Sequence, residues 1–194
     1  MKTLKYIFIT ILFINILSAQ TVWKIDPVHS NVEFTVSHLV ISDVTGRFKE
    51  FEGTLTHTKP DFTDAKIEAV INVKSVDTDN EKRDQHLLTP DFFNVEKFPT
   101  IKFSSKSVSK TGENAYKIMG DLTINGVTKP VTLEAKYRGQ TTDPWGNVKS
   151  AFKATTSIDR FDYDVKWNAP LGSGGLVVGK TVDITLNIQL IKQK

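Results

Sequence analysis

The chain lacks several features that would point to common functions. None of its 194 residues is cysteine, so neither a disulfide framework nor a lipid-modified N-terminal cysteine is available. Charge of one sign is not in large excess, because 25 Lys and Arg balance 22 Asp and Glu. Scattered charge of this kind argues against a nucleic-acid-binding surface. No Gly-x-Ser-x-Gly nucleophile elbow and no phosphate-binding loop with its lysine occur, so the motifs give catalysis no support.

The longest apolar run is also short. It covers residues 6–17, follows two lysines and precedes Ser18-Ala19-Gln20. A basic start, a short apolar stretch and small residues predict a secretory signal peptide over residues 1–20, cleaved after Ala19 or Gln20. A retained N-terminal anchor is the alternative, although the run is too short to be a convincing membrane span. We therefore expect one exported domain over residues 21–194, located in the periplasm or secreted.

Alternating apolar and polar residues dominate the rest of the chain. In Thr181–Leu190 every second residue is valine, isoleucine or leucine, which predicts a strand with one dry face. The same alternation appears in residues 30–38, 67–73, 118–124, 131–137 and 148–158. Asn125-Gly126 is a strong hairpin signal, and a break in phase between Phe48 and Phe51 predicts a bulge or bend. About eight antiparallel strands of this kind indicate an all-β fold that closes into a barrel.

A barrel of roughly eight strands is either filled by its own side chains or holds one small ligand. The many phenylalanines and tryptophans are compatible with both, and the pattern alone leaves the choice open. The histidines do not favour a metal site, since His29 and His38 would point to opposite faces of one strand. The carboxylates of Asp159, Asp162 and Asp164 are best explained as solvated loop residues.

A short helical insertion over residues 79–97 carries the most distinctive polar group of the chain. Asn80 is placed to cap a helix, and Arg83 and His86 would share one helix face, beside Asp84. One interpretation is that this group closes the barrel mouth and holds the polar end of a ligand. The other is a helix-surface salt bridge with a buried histidine.

From residue 26 to residue 192 the chain resembles the YceI-like family of lipid- or polyisoprenoid-binding proteins. The resemblance rests on these ordered motifs: Asp26-x-x-His29-Ser30-x-x-x-Phe34-x-Val36-x-His38, Gly46-x-Phe48-x-x-Phe51-x-Gly53, Arg83-Asp84-x-His86-Leu87, Asp91-Phe92-Phe93, Phe98-Pro99-x-Ile101-x-Phe103-x-Ser105, Gly120-x-Leu122-Thr123-Ile124-x-Gly126-Val127-Thr128-Lys129-Pro130-Val131 and Asp159-Arg160-x-Asp162-Tyr163. The chain departs from the family where many relatives have Phe-Gly and this sequence has Tyr163-Asp164.

The resemblance implies an extended, lipocalin-like antiparallel barrel that encloses a long isoprenoid or fatty chain, usually in the periplasm. It implies a non-enzymatic carrier, storage or scavenging protein with no cofactor other than its lipid. The partner would be an amphiphilic lipid such as a polyisoprenoid, quinone or fatty acid derivative, with transient contact to a membrane. An enzyme or quinone-linked redox accessory acting on the lipid head group, and an interaction domain with a filled core, are the alternatives.

With the family in view, we predict the residues of the ligand site. Those expected to contact the lipid tail, as tunnel lining or at its ends, are Phe34, Val36, Phe51, Ile71, Phe92, Phe93, Phe98, Phe103, Leu122, Leu133, Trp145, Phe152, Trp167 and Ile184. Those expected to contact the head group or close the mouth are His38, Arg83, Asp84 and His86.

Overall fold

The computed structural model describes residues 19–170, 172 and 174–194. Within this part the chain forms eleven strands, one α-helix and two 3-10 turns. The strands are β1 (Thr21–Ile25), β2 (Asn31–His38), β3 (Ser42–Phe48), β4 (Phe51–His57), β5 (Lys66–Asn72), β6 (Val76–Asp77), β7 (Thr100–Lys110), β8 (Ala115–Ile124), β9 (Val127–Thr142), β10 (Val148–Asp159) and β11 (Val178–Lys192). Helix α1 spans Glu81–Leu87, and the 3-10 turns span Val73–Ser75 and Arg160–Tyr163.

Eight strands close into an antiparallel barrel in the order β1-β4-β5-β7-β8-β9-β10-β11, with β11 pairing back onto β1. Closure leaves no free edge around this ring, which removes the template for edge-to-edge aggregation. The all-β barrel predicted from the sequence is confirmed. The long strand β11 also pairs with β2, whose other side carries β3 and then β6. The wall is therefore taller on the side of β11 than a simple eight-stranded ring would be.

The tall wall arises because two successive strands, β1 and β2, pair with different parts of the long strand β11. Strand β11 pairs with β1 through Leu190–Lys192 and with β2 through residues 178–187, so β1 and β2 follow each other along one partner. Strands β3 and β4 are likewise separated only by Lys49 and Glu50. The two-residue break lets both Phe48 and Phe51 face the interior, as the phase change in the sequence predicts.

Local sequence signals appear where expected. Asn125 and Gly126 form the β8–β9 turn with φ of 50° and 73°, the conformation that Asn-Gly hairpins favour. A side chain on Gly126 would also collide with the ring of Phe98, since a Cβ there would lie 2.6 Å from it. Asn80 caps α1 by accepting a hydrogen bond from the backbone N–H of Arg83. The Thr89-Pro90 segment forms hydrogen-bonded turns without a second helix.

The predicted signal peptide lies almost wholly outside the described residues, so it stays a prediction. Among the residues that are described, no helix is both long enough and apolar enough to cross a membrane.

Candidate ligand-binding cavity

The inward faces of the barrel strands surround an apolar cavity of about 280 Å³. The alternating residues of β11 illustrate how the sequence produces it: Val182, Ile184, Leu186, Ile188 and Leu190 all line the cavity. Rows from the other barrel strands complete the wall. Because successive side chains of a strand point to opposite faces, each strand supplies a mainly apolar set to the interior, with Thr156 of β10 as a polar member.

Several of these inward side chains are only half-buried, although they lie inside the barrel. Ile184, Leu186 and Ile188 belong to this group, whereas Leu190 at the end of the row is 3 % exposed. Leu190 also lines the cavity, but it is a buried member of the packed cluster that includes Trp23. The interior is thus hollow along part of its length and filled at its ends.

One end of the barrel, which we call the aromatic end, is closed by rings from the strands and from the β4–β5 loop. Phe62 has a left-handed backbone (φ 59°) and is 7 % exposed. It packs on Phe152 and on His57, with ring centroids 5.4 Å and 4.5 Å apart. Trp23 is 2 % exposed, and its Nε1 donates to His57 Nε2 over 3.0 Å. This end is a packed core.

The other end, which we call the capped end, is covered from outside the sheet. Helix α1 contributes Leu87, the following turns contribute Phe92 and Phe93, and the 3-10 turn after β10 contributes Tyr163. Tyr163 is 2 % exposed, and burial raises its pKa to about 12. Its hydroxyl therefore stays protonated at neutral pH.

Arg160 is the buried charged group of the capped end, although it is among neither the predicted tail contacts nor the predicted head-group contacts. It lines the cavity at 4 % exposure. Its guanidinium donates to the backbone carbonyls of Gly179, Val165, Trp167 and Val178 over 2.6–3.0 Å. Burial lowers its pKa from the ordinary value. An arginine has five N–H donors, so these bonds within the described part of the chain use four of them.

Because Arg160 binds carbonyls on both sides of the loop before β11, it ties residues 165–179 to the barrel. The signal that could have singled it out is its place in the Asp159-Arg160-x-Asp162 motif, next to a strand end. Nothing in the sequence, however, shows that its partners are carbonyls of the loop that follows.

Eleven of the predicted tail-contacting residues line the cavity. They are Phe34, Val36, Phe51, Ile71, Phe92, Phe93, Phe103, Leu122, Leu133, Phe152 and Ile184. Whether they contact a ligand stays a prediction.

The three other aromatic residues lie outside the lining. Trp167 packs against the capped end, with its ring 5.4 Å from that of Phe92. Phe98 contacts the β8–β9 turn. Trp145 is 83 % exposed in the β9–β10 turn. Asp143 organises this turn by accepting hydrogen bonds from the backbone N–H groups of Trp145 and Asn147. These positions are set by loops, where strand periodicity gives no information.

The four predicted head-group residues also lie outside the lining. Arg83 donates to the hydroxyl and carbonyl oxygens of Thr78, and Asp84 accepts from the same hydroxyl, so both fix the start of α1. His86 Nε2 lies 2.9 Å from Asp91 Oδ2, and its ring packs edge-on against Trp167. His38 ends β2, opposite Val178. Direct contact with a head group remains a prediction for all four.

Among the described residues, no group of three or more His, Asp or Glu side chains is arranged to hold a metal ion. The strongest polar cluster lies instead in the link between β1 and β2. Asp26 Oδ2 accepts from Lys149 Nζ over 2.8 Å and from Gln189 Nε2 over 3.1 Å. His29 Nδ1 lies 2.9 Å from the same oxygen. This cluster joins three strands and faces away from the cavity.

Known proteins resemble this chain in sequence and in fold. A protein YceI of Escherichia coli (strain UMN026) is 42 % identical over 166 residues, which cover 86 % of this chain and 83 % of the relative. The crystal structure of the Campylobacter jejuni YCEI protein superposes with a TM-score of 0.68 at 27 % identity, covering 81 % of this chain and 90 % of that one.

A polyisoprenoid-binding domain from Saccharophagus degradans has the same fold, with a TM-score of 0.65 over 88 % of this chain and 98 % of the domain. At 14 % identity this likeness concerns the fold alone. The sequence model of the YceI-like domain family matches residues 23–190, from the first barrel strand to the last. The chain therefore belongs to the YceI-like domain family.

Proposed function

We propose that the protein is a non-enzymatic carrier that encloses the long apolar tail of an amphiphilic lipid, of the polyisoprenoid class, in its barrel cavity. The observation that carries the proposal is the continuous apolar lining between two differently closed ends. Ligand sites of this kind are mostly apolar, with a few polar groups that orient the ligand. The fold shared with a polyisoprenoid-binding domain supports the ligand class.

The size of the cavity supports a long tail. A buried water occupies about 10–15 Å³ of such space, so the cavity of about 280 Å³ has room for roughly twenty groups of that size. Burying one methylene contributes roughly 0.8 kcal/mol, whereas association costs on the order of 4–15 kcal/mol. A tail of about twenty carbons therefore exceeds the cost with few polar contacts, and a short acyl group does not.

The polar head would lie at the capped end. Among the described residues, Arg160 keeps one N–H without an acceptor there, and the neutral hydroxyl of Tyr163 is a second donor. An alcohol, phosphate or quinone oxygen would suit these donors equally. The aromatic end has the hydroxyls of Tyr116 and Tyr137 but, among the described residues, no buried arginine or lysine. Its Trp23 and His57 nitrogens bond to each other and to the carbonyl of Lys59.

We also propose that the protein acts in the periplasm after removal of residues 1–20. The carrier role fits that compartment, because a long isoprenoid tail cannot cross water between membranes unless it is enclosed.

Lipid mass spectrometry tests the proposal. The exported protein is purified without detergent, extracted with organic solvent and analysed beside a mock purification. We expect a long-chain isoprenoid or related lipid at near-stoichiometric amounts. Well-folded protein that yields only solvent, and that takes up no polyisoprenoid alcohol when one is supplied, would rule the carrier role out.

A pair of variants ties the ligand to the cavity. Ile184→Trp places a large ring in the hollow interior, and Thr185→Trp places the same ring on the outer face of the same strand. We expect at least a tenfold loss of lipid uptake for Ile184→Trp and unchanged uptake for Thr185→Trp. Equal uptake by both variants would place the lipid outside the barrel.

A further inference from the structure

The hairpin between β2 and β3 ends in three consecutive apolar residues that face solvent. We call Leu39, Val40 and Ile41 the β2–β3 tip; they are 38 %, 67 % and 84 % exposed. Leu39 and Val40 have left-handed backbones, with φ of 54° and 67°. This conformation is unfavourable for a leucine and more so for a β-branched valine. The chain thus keeps large apolar side chains at a turn that asparagine or glycine would form more easily.

The tip lies next to the apolar wall of the cavity. On β2, Val36 lines the cavity three residues before Leu39. On β11, Val178 lines the cavity opposite the end of β2, and the neighbouring Val177 carbonyl accepts from the Leu39 N–H over 2.8 Å. The tip therefore projects into solvent close to the cavity wall, at the end where Arg160 binds the carbonyl of Val178.

We propose that the β2–β3 tip inserts into a lipid bilayer and so places the capped end of the cavity at the membrane from which the lipid enters. The proposal rests on the proposed function, because only a membrane-derived ligand requires such contact. The shape favours a bilayer over a protein partner. Three side chains at a projecting turn fall far short of the roughly 800 Å² per partner that a stable protein interface buries, whereas interfacial insertion needs only a few apolar groups about 5–10 Å deep.

The chain contains a matched control at the opposite end. Trp145 is 83 % exposed, as much as Ile41, but it lies in the turn just before the first residue of β10. His38 pairs with Val178, the first residue of the neighbouring strand β11, at the side where Asp159 ends β10. The twelve residues of β10 separate the two sites by about 40 Å at ~3.3 Å per residue.

The experiment measures binding and uptake with phosphatidylcholine vesicles. The exported protein, Val40→Asp, Ile41→Asp and the control Trp145→Asp are sedimented with plain vesicles. Uptake of a long-chain polyisoprenoid alcohol is then followed from vesicles and, separately, from detergent micelles. Aspartate is tolerated better than valine at positive φ, so the variants should fold. Ile41→Trp, which keeps an apolar side chain and suits the membrane interface, serves as a second variant.

For each aspartate variant of the tip we expect at least a tenfold loss of vesicle binding and of the rate of uptake from vesicles. Uptake from micelles should be unchanged, and Trp145→Asp should match the wild type in both assays. Ile41→Trp should bind vesicles at least as well as the wild type. The proposal is overturned if the aspartate variants of the tip still bind vesicles, or if Trp145→Asp loses as much binding as they do. It is also overturned if these tip variants differ from the wild type only in self-association. If the wild type takes up no lipid from micelles, the proposed carrier role is contradicted instead. Sedimentation with plain vesicles then still tests whether the tip binds a bilayer.

Discussion

The two ends of the barrel are closed by different parts of the chain. At the aromatic end, Trp23, Phe62 and Phe152 come from the barrel strands and one short loop, and they pack as a core. At the capped end, α1 and residues 160–167 lie over the opening, pack on it through rings such as Phe92 and Tyr163, and are tied down by hydrogen bonds from Arg160 and to Thr78. The cavity lies between them.

This difference indicates which end opens. At the aromatic end, separating the packed rings would expose a large apolar area. It would also disturb the strands that form the wall, because Trp23 and Phe152 belong to them. Moving the cap leaves the strand pairing intact, because its hydrogen bonds join loops to the barrel. Segments of this kind are drawn from the less stable parts of a protein. We therefore expect lipid exchange at the capped end, and the following predictions test that contrast from the largest effect to the smallest.

Trp23→Ala should have the largest effect on global stability. Removing a buried tryptophan costs about 3–5 kcal/mol of the free energy of unfolding, and the substitution also leaves His57 Nε2 without its donor. Urea unfolding monitored by circular dichroism measures the loss. The matched variant Trp145→Ala, at an exposed position, should change the free energy of unfolding by less than about 0.5 kcal/mol. Similar losses in both variants would contradict a packed aromatic end.

Arg160→Met should loosen the capped end. Four backbone carbonyls lose a charged donor, and we expect a loss of about 3 kcal/mol, since a buried polar group left unpaired costs about 1–3 kcal/mol. Hydrogen exchange should accelerate in residues 164–180 and stay slow in β1 and β4. Arg160→Lys keeps the charge but not the planar fork, so it should restore only part of the protection. Uniform acceleration over the whole barrel would show that the cap is not a separate unit.

The Asp26 cluster gives a smaller, pH-dependent effect beside the aromatic end. Burial alone would raise the pKa of Asp26, but hydrogen bonds from Lys149, His29 and Gln189 outweigh it and hold the pKa well below its usual range. The pKa of an unfolded-chain aspartate is about 3.9. The stabilisation is therefore present above about pH 4 and is lost as the pH falls towards the lower pKa of the folded state.

Asp26→Asn tests this linkage. The variant should lose about 1–3 kcal/mol at pH 7, and its stability should fall less steeply than that of the wild type below pH 4. Asp77, whose pKa is also lowered by Lys49 and Arg47, is unchanged in both proteins and so cancels in the comparison. Parallel stability–pH curves would show that Asp26 is not stabilised by its partners.

The strands and most of the cavity wall could be predicted from the sequence. Val182, Ile184 and Leu186 line the cavity as their alternation requires, because the side-chain period of a strand is independent of its partners. Trp145 and Phe98 could not be placed in the same way. They lie in loops or turns, whose conformation depends on local hydrogen bonds such as those to Asp143.

The polar part of the site was harder to predict for a related reason. Arg83 and Asp84 attract attention as charges on a short helix, yet both bind Thr78. Arg160 reads as one more charge in a polar loop, yet it is buried among carbonyls that follow it by 5 to 19 residues. Charge and residue type do not reveal which backbone groups a folded loop will bring to a side chain.

The sequence by itself determined a family, a barrel of one-sided strands and the dry face of each strand, because these follow from local periodicity and ordered motifs. The tertiary structure decided that the interior is hollow, that its ends are closed differently and that Arg160 holds the cap. Those features depend on how the closed sheet spaces opposite walls and on long-range hydrogen bonds, neither of which is written in any single segment.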